Sequence, residues 1–121
     1  MVDEKRKKRI SEMIQHELAT VLLRHTQQML FAQITITAVN VSADLAVAKV
    51  FFSVFDDNKV DEAKKVLQRA ANFLRKTLAH NLNLRLTPRL NFIYDDSIKR
   101  GQRISALIDA TIAADEKKQK E

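Results

Sequence analysis

Residues 60–97 read VDEAKKVLQRAANFLRKTLAHNLNLRLTPRLNFIYDDS, and the fold turns on a change of period inside them. From Val60 to about Leu82, Val60, Ala63, Leu67, Ala70, Leu74 and Leu78 recur every three or four residues, the apolar stripe of a helix. Past Leu82 the period falls to two. Leu86, Leu90, Phe92 and Tyr94 alternate with Arg85, Thr87, Arg89 and Asn91, which predicts a strand with one oily and one basic face. Thr87-Pro88 enters that strand, and because proline has no N–H to give to a ladder, the strand is expected at a sheet edge.

Working towards the N-terminus, "QITITAVNV" and "AVAKVFFSVF" alternate as the two strands of a hairpin, with "SADL" as turn. The apolar phase slips from Ile34 and Ile36 to Val39 and Val41, so a bulge is expected near Ala38–Val41. "DDNK" at 56–59 closes the second strand and supplies a cap. Before the hairpin, Ile10, Met13, Ile14, Leu18, Val21 and Leu22 mark a first helix from about Lys5 to about His25. After the last strand, Ile104, Leu107, Ile108 and Ile112 mark a short helix following Gly101, the only glycine, and "DEKKQKE" is expected to fray. The order is helix, strand, strand, long helix, strand, short helix. That is an α+β domain with its helices on one sheet face. At 121 residues the chain is read as a single domain over 1–112 with a flexible tail over 113–121.

Composition narrows the function. No apolar run approaches the roughly 18 residues of a membrane span. The basic start Lys5-Arg6-Lys7-Lys8-Arg9 imitates a signal peptide, but Glu12, His16 and Glu17 interrupt the apolar run that export requires, so a cytoplasmic location is expected. Without cysteine there is no disulfide framework and no thiolate metal site. One glycine rules out a Gly-rich phosphate loop, and His16, His25 and His80 have no metal-ligand spacing with a carboxylate. Asp95 and Asp96 read as a turn or cap at a strand end rather than as paired catalytic carboxylates. No catalysis, metal or cofactor is expected.

Charge points elsewhere. Lys plus Arg number 21 against 15 Asp plus Glu, a net charge of +6. Ten of the basic residues and only two acids, Asp95 and Asp96, lie between Lys64 and Arg103. On the helical wheel Lys65, Arg69, Asn72, Lys76 and His80 line the side opposite the apolar stripe, and no acid stands between Ala63 and His80. A merely solvated helix interleaves Glu with Lys at three or four residues; here like charges repel unless a polyanion compensates them. Lys5, Arg6, Lys7, Lys8 and Arg9 are expected to act as an N-terminal basic arm adding phosphate affinity.

The segments "RISEMIQHELATVL", "VSADLAVAKVFFSVF" and "LQRAANFLRKTLAHNLNLRLTPRLNFIYDDS", in this order, resemble bacterial ribosome-binding factor A over about residues 5–110. The resemblance implies a KH-like fold of type II topology, a three-stranded sheet packed by an N-terminal helix and a helix–kink–helix. It also implies a non-catalytic monomer that binds the small (30S) ribosomal subunit, assists late processing of 16S rRNA and supports growth in the cold. In that family the kink carries Ala-x-Gly. The aligned residues here are Ala70, Ala71 and Asn72, and asparagine is the side chain that next best tolerates left-handed backbone. On this reading Lys65, Arg69, Asn72, Arg75, Lys76, His80, Arg85 and Arg89 face RNA, mostly its phosphates. The alternative is an adaptor that docks an acidic protein through Phe51, Phe55 and the basic stripe.

Overall fold

The computed structural model describes residues 4–25, 29–84, 86–97, 100–102, 104–105 and 107–108. Helix α1 (Glu4–Arg24) and a short helix α2 (Met29–Ala32) precede strands β1 (Ile34–Val41) and β2 (Val47–Val54). A single 3-10 turn (Asp57–Lys59) then leads into helix α3 (Val60–Leu82) and strand β3 (Arg89–Tyr94). The described residues of the segment 97–108 are helical. Ile112 and the tail 113–121 lie outside the described residues.

The sheet order is β1-β2-β3, with β1 antiparallel and β3 parallel to β2. Hence β3 is an edge, as its proline required. Pairing starts one residue after Pro88, where the Arg89 N–H donates to the Ala46 carbonyl at 2.9 Å. Leu86, expected on the oily face, therefore lies before the strand and is 71% exposed.

One sheet face is buried. Ile14, Leu18, Val21 and Leu22 of α1 and Ala63, Leu67, Leu74 and Leu78 of α3 pack with Ile34, Ile36, Val41, Ala48, Val50, Phe52, Val54, Leu90 and Phe92. Each fully buried leucine of α3 contributes about 1.5–3 kcal/mol relative to exposure. The other face presents Thr35, Ala38 and Asn40 of β1, Lys49, Phe51 and Ser53 of β2, and Arg89, Asn91 and Ile93 of β3, none of them fully buried.

The bulge falls between Ile36 and Ala38, one residue earlier than the phase slip suggested. Thr37, the extra residue, is held from two sides: its carbonyl accepts from Gln15 Nε2 at 3.2 Å, and its hydroxyl donates to Asp95 Oδ2 at 2.7 Å. The bulge thus ties α1 and the end of β3 to β1. In the hairpin turn, Asp44 Oδ1 accepts from the Ser42 hydroxyl at 2.7 Å and the Ala46 N–H at 3.0 Å, while Leu45 takes a left-handed φ of 60°. Those two hydrogen bonds hold the Asp44 carboxyl below the usual aspartate range.

The long helix corrects one expectation. It is continuous over its 23 residues, and among the described residues only Leu45 and Asn83 have positive φ. Asn72 is therefore an ordinary helical residue, and the left-handed residue comes at Asn83, where the helix ends. The buried positions at 63, 67, 74 and 78 keep one unbroken helical phase, so the chain gains nothing by bending at Ala70–Asn72.

Candidate nucleic-acid interface

The sheet topology brings basic residues of several elements to one end of the molecule. β1 ends, and β2 and β3 begin, at the same end, where Val41 faces Ala48 and Val47 faces Arg89. Because α3 connects the far end of β2 back to the start of β3, its C-terminal half, with Asn72, Arg75, Lys76 and His80, returns to this end.

On α3, Lys65, Arg69, Asn72, Lys76 and His80 are all exposed and lie on the side away from the core. They extend over about 22 Å, at 1.5 Å per residue. Among the described residues Lys65, Arg69 and Lys76 have no ion-pair partner, whereas Arg100 pairs with Asp96 at 2.8 Å. The acids of this helix, Asp61 and Glu62, are confined to its first turn, where the helix dipole favours them.

Arg75 is set apart from the stripe. It is half-buried and turned towards the chain entering β3, where its Nη2 donates to the Thr87 carbonyl at 3.1 Å. Its Nε is buried without a partner. Asn72, Arg75, Lys76, Ala79 and Thr87 enclose a cavity of about 270 Å3, so Asn72 belongs to the surface without any kink.

Arg89 lies on a different surface. Leu90 and Phe92 face the helices, so Arg89 and Asn91 project from the opposite sheet face, beside Lys49 of β2 and, in the same row, Asn40 of β1. Lys49 was not among the residues singled out from sequence, since only strand register brings it next to Asn91. Arg85 lies outside the described residues.

The basic N-terminal residues are not a loose arm. Lys5, Arg6, Lys7, Lys8 and Arg9 form the first turns of α1. The helix persists there because Ser11 and Ile14, directly following, are buried, and Ser11 Oγ accepts from the Val41 N–H at 3.2 Å. Lys5, Lys7 and Lys8 line a cavity of about 390 Å3 with Val39 and Asn40, which sets them next to the Asn40–Lys49 row. Cations at a helix N-terminus oppose the dipole, an arrangement that an external polyanion relieves.

Phe51 and Phe55 differ. Phe51 is half-buried in the middle of the open sheet face, between Ala38 and Ile93. Phe55, 94% exposed, lies past the far end of β2 among carboxylates and not beside the basic stripe. Neither is placed to share an acidic partner with that stripe.

No described helix is long and apolar enough to cross a membrane, and no group of three or more His, Cys, Asp or Glu among the described residues could hold a metal.

Comparison with known proteins agrees with this architecture. The protein-family model for ribosome-binding factor A matches residues 6–108. The ribosome-binding factor A of Nitrosospira multiformis is 44% identical over 115 residues, 93% of this chain and 90% of that protein. The crystal structure of ribosome-binding factor A from Thermus thermophilus superposes with a TM-score of 0.65 at 28% identity, covering 73% of this chain and 94% of that one. A homology model of the Thermus thermophilus factor, fitted into a cryo-EM map of a 30S–RbfA complex, gives 0.64 at 27% identity and covers 75% and 97% of the two chains.

Proposed function

Because the chain belongs to the ribosome-binding factor A family, we propose that it binds the free small ribosomal subunit through 16S rRNA and assists the late processing of that RNA. It acts as a cytoplasmic monomer, catalyses no reaction, and supports growth in the cold. The observation that carries this reading is the run of uncompensated cations on the outer side of α3, continued at the same end of the molecule by Arg89, Lys49 and the first turns of α1. An ordinary KH domain clamps the nucleic-acid backbone with a Gly-x-x-Gly loop. With Gly101 as its only glycine, this chain has no such loop, so the outer side of α3 and its cavity at Arg75 take the phosphates instead.

Contacts of this kind fix position more than sequence. Each neutralised phosphate releases counterions, and six to ten of them weaken binding by about 10³–10⁵ between 50 and 200 mM salt. Titrating free small subunits, RNA and duplex DNA at several salt concentrations tests the reading. Steep salt dependence with preference for the subunit supports it. Affinity independent of salt, or equal for DNA, defeats it.

A further inference from the structure

The sheet face turned away from the helices has a composition of its own. Thr35, Ala38, Asn40, Lys49, Arg89 and Asn91 are exposed on it, so among the described residues nothing covers them. Strand register arranges the face in rows. Asn40, Lys49 and Asn91 lie side by side across the three strands, and the next row along is Ala38, Phe51 and Ile93, with the half-buried ring of Phe51 on the middle strand. None of the three strands contains a carboxylate. At the margins, Asp44 in the hairpin turn is bonded to the Ser42 hydroxyl and the Ala46 N–H, and Asp95 past β3 to the Thr37 hydroxyl and the Ser97 N–H. Glu4 shares its cavity with Lys5, Lys7 and Lys8, next to Asn40, so cations prevail there too.

We infer that this open face is a second RNA contact, separate from α3, that takes unpaired nucleotides: one base stacks on Phe51, Asn40 and Asn91 meet base edges, and Lys49 and Arg89 hold the adjoining phosphates. Each group answers one part of a nucleotide. An aromatic ring accepts the π-face of any base, and an amide offers both a donor and an acceptor to a base edge. Lys49 stands two residues from Phe51 on the same strand, about 7 Å away, and Asn40 and Asn91 are its diagonal neighbours at about 7–8 Å. That is the reach of one nucleotide's parts. Charge complementarity selects the polyanion, because the face bears cations without carboxylates and adjoins Lys5, Lys7 and Lys8 at its basic end. A duplex keeps its base faces stacked inside, so only a single strand can reach the ring. The inference rests on the RNA reading above and adds to it the base contact that the cations of α3 do not supply.

The chain has no tryptophan, so Phe51→Trp gives it a single indole at the proposed stacking site. The full chain carrying this change is titrated with a mixed-sequence single-stranded RNA oligonucleotide and with an RNA duplex of the same length. The single strand is expected to quench the indole emission saturably, and the duplex to leave it unchanged. Phe51→Leu, which keeps the apolar bulk and removes the ring, should weaken single-strand binding by about tenfold and duplex binding not at all. Asn91 is exposed and outside the core, so Asn91→Ala keeps the parent's melt and should weaken single-strand binding by about threefold, even where changes at Phe51 disturb the sheet. The inference is overturned if bound single strand leaves the emission unchanged, if folded Phe51→Leu and Asn91→Ala bind as the parent does, or if the duplex quenches equally. Emission that varies with protein concentration in the absence of RNA would mark a contact between copies and overturn it as well. A parent chain that binds neither subunits nor RNA defeats the RNA reading itself, whereas one that binds single-stranded RNA without quenching defeats only the sheet-face contact.

Discussion

Replacing Lys5 and Lys8 by Gln should make the protein more stable and a worse RNA binder at once. Both side chains are exposed in the first turns of α1, so no packing is lost. Each cation there opposes the positive end of the helix dipole, which costs about 0.3–1 kcal/mol at low ionic strength and fades beyond the first turn. Lys5 lies within that turn and Lys8 just past it, so removing both should gain about 0.5–1 kcal/mol. For a domain of this size that raises the melting midpoint by about 2–5 °C. Both residues line the cavity beside Asn40, at the basic end of the sheet. If both meet phosphates, the slope of log affinity against log salt should fall by about 1 to 2. Differential scanning calorimetry and subunit binding at three salt concentrations give both numbers. A lower melting midpoint, or an unchanged salt slope, would refute the argument that these cations are maintained for a polyanion at the helix's expense.

Asn72 discriminates a straight helix from a bent one. With helical backbone at this exposed position, Asn72→Ala should stabilise slightly and Asn72→Gly should cost up to about 1 kcal/mol relative to alanine in a denaturant series; the reverse order would restore the kink. Asp95 should govern part of the acid response. The Thr37 hydroxyl, followed by Ser97, holds its carboxyl below the ordinary aspartate range, so the folded pKa lies below the unfolded one. Its stabilisation is therefore complete at neutral pH and is lost as pH falls through the folded value; Asp95→Asn should flatten the acid limb of a stability–pH curve, and an unchanged limb would remove Asp95 as its source.

What the sequence revealed, it revealed through period and through special residues. The bounds of α3 follow from the spacing of Ala63, Leu67, Leu74 and Leu78, and the edge position of β3 from the missing N–H of Pro88. Four-residue α2 escaped because it is little more than one turn, too short for a periodic signal, although Phe31 within it is buried. The kink was inherited from a family motif that this chain lacks at its glycine, and the apolar phase of α3 runs straight through it. On the site side, the stripe from Lys65 to His80 was legible because a helix keeps its own faces. The neighbourhood of Arg89 and Lys49 was not, since which strand ends meet depends on one antiparallel and one parallel pairing. The same pairings gather Asp56, Asp57, Asp95 and Asp96 at the far end, although the two pairs lie far apart in sequence.

The most direct test of the basic surface is the variant carrying Lys65→Glu, Arg69→Glu and Lys76→Glu together, assayed by co-sedimentation with free small subunits and by thermal melting. All three residues are exposed and without ion-pair partners among the described residues, so each change should alter stability by no more than about 0.5 kcal/mol. The folded variant should stay in the supernatant at a salt concentration where the parent chain pellets with the subunits. If it pellets as the parent does, the outer side of α3 is not the surface that binds RNA.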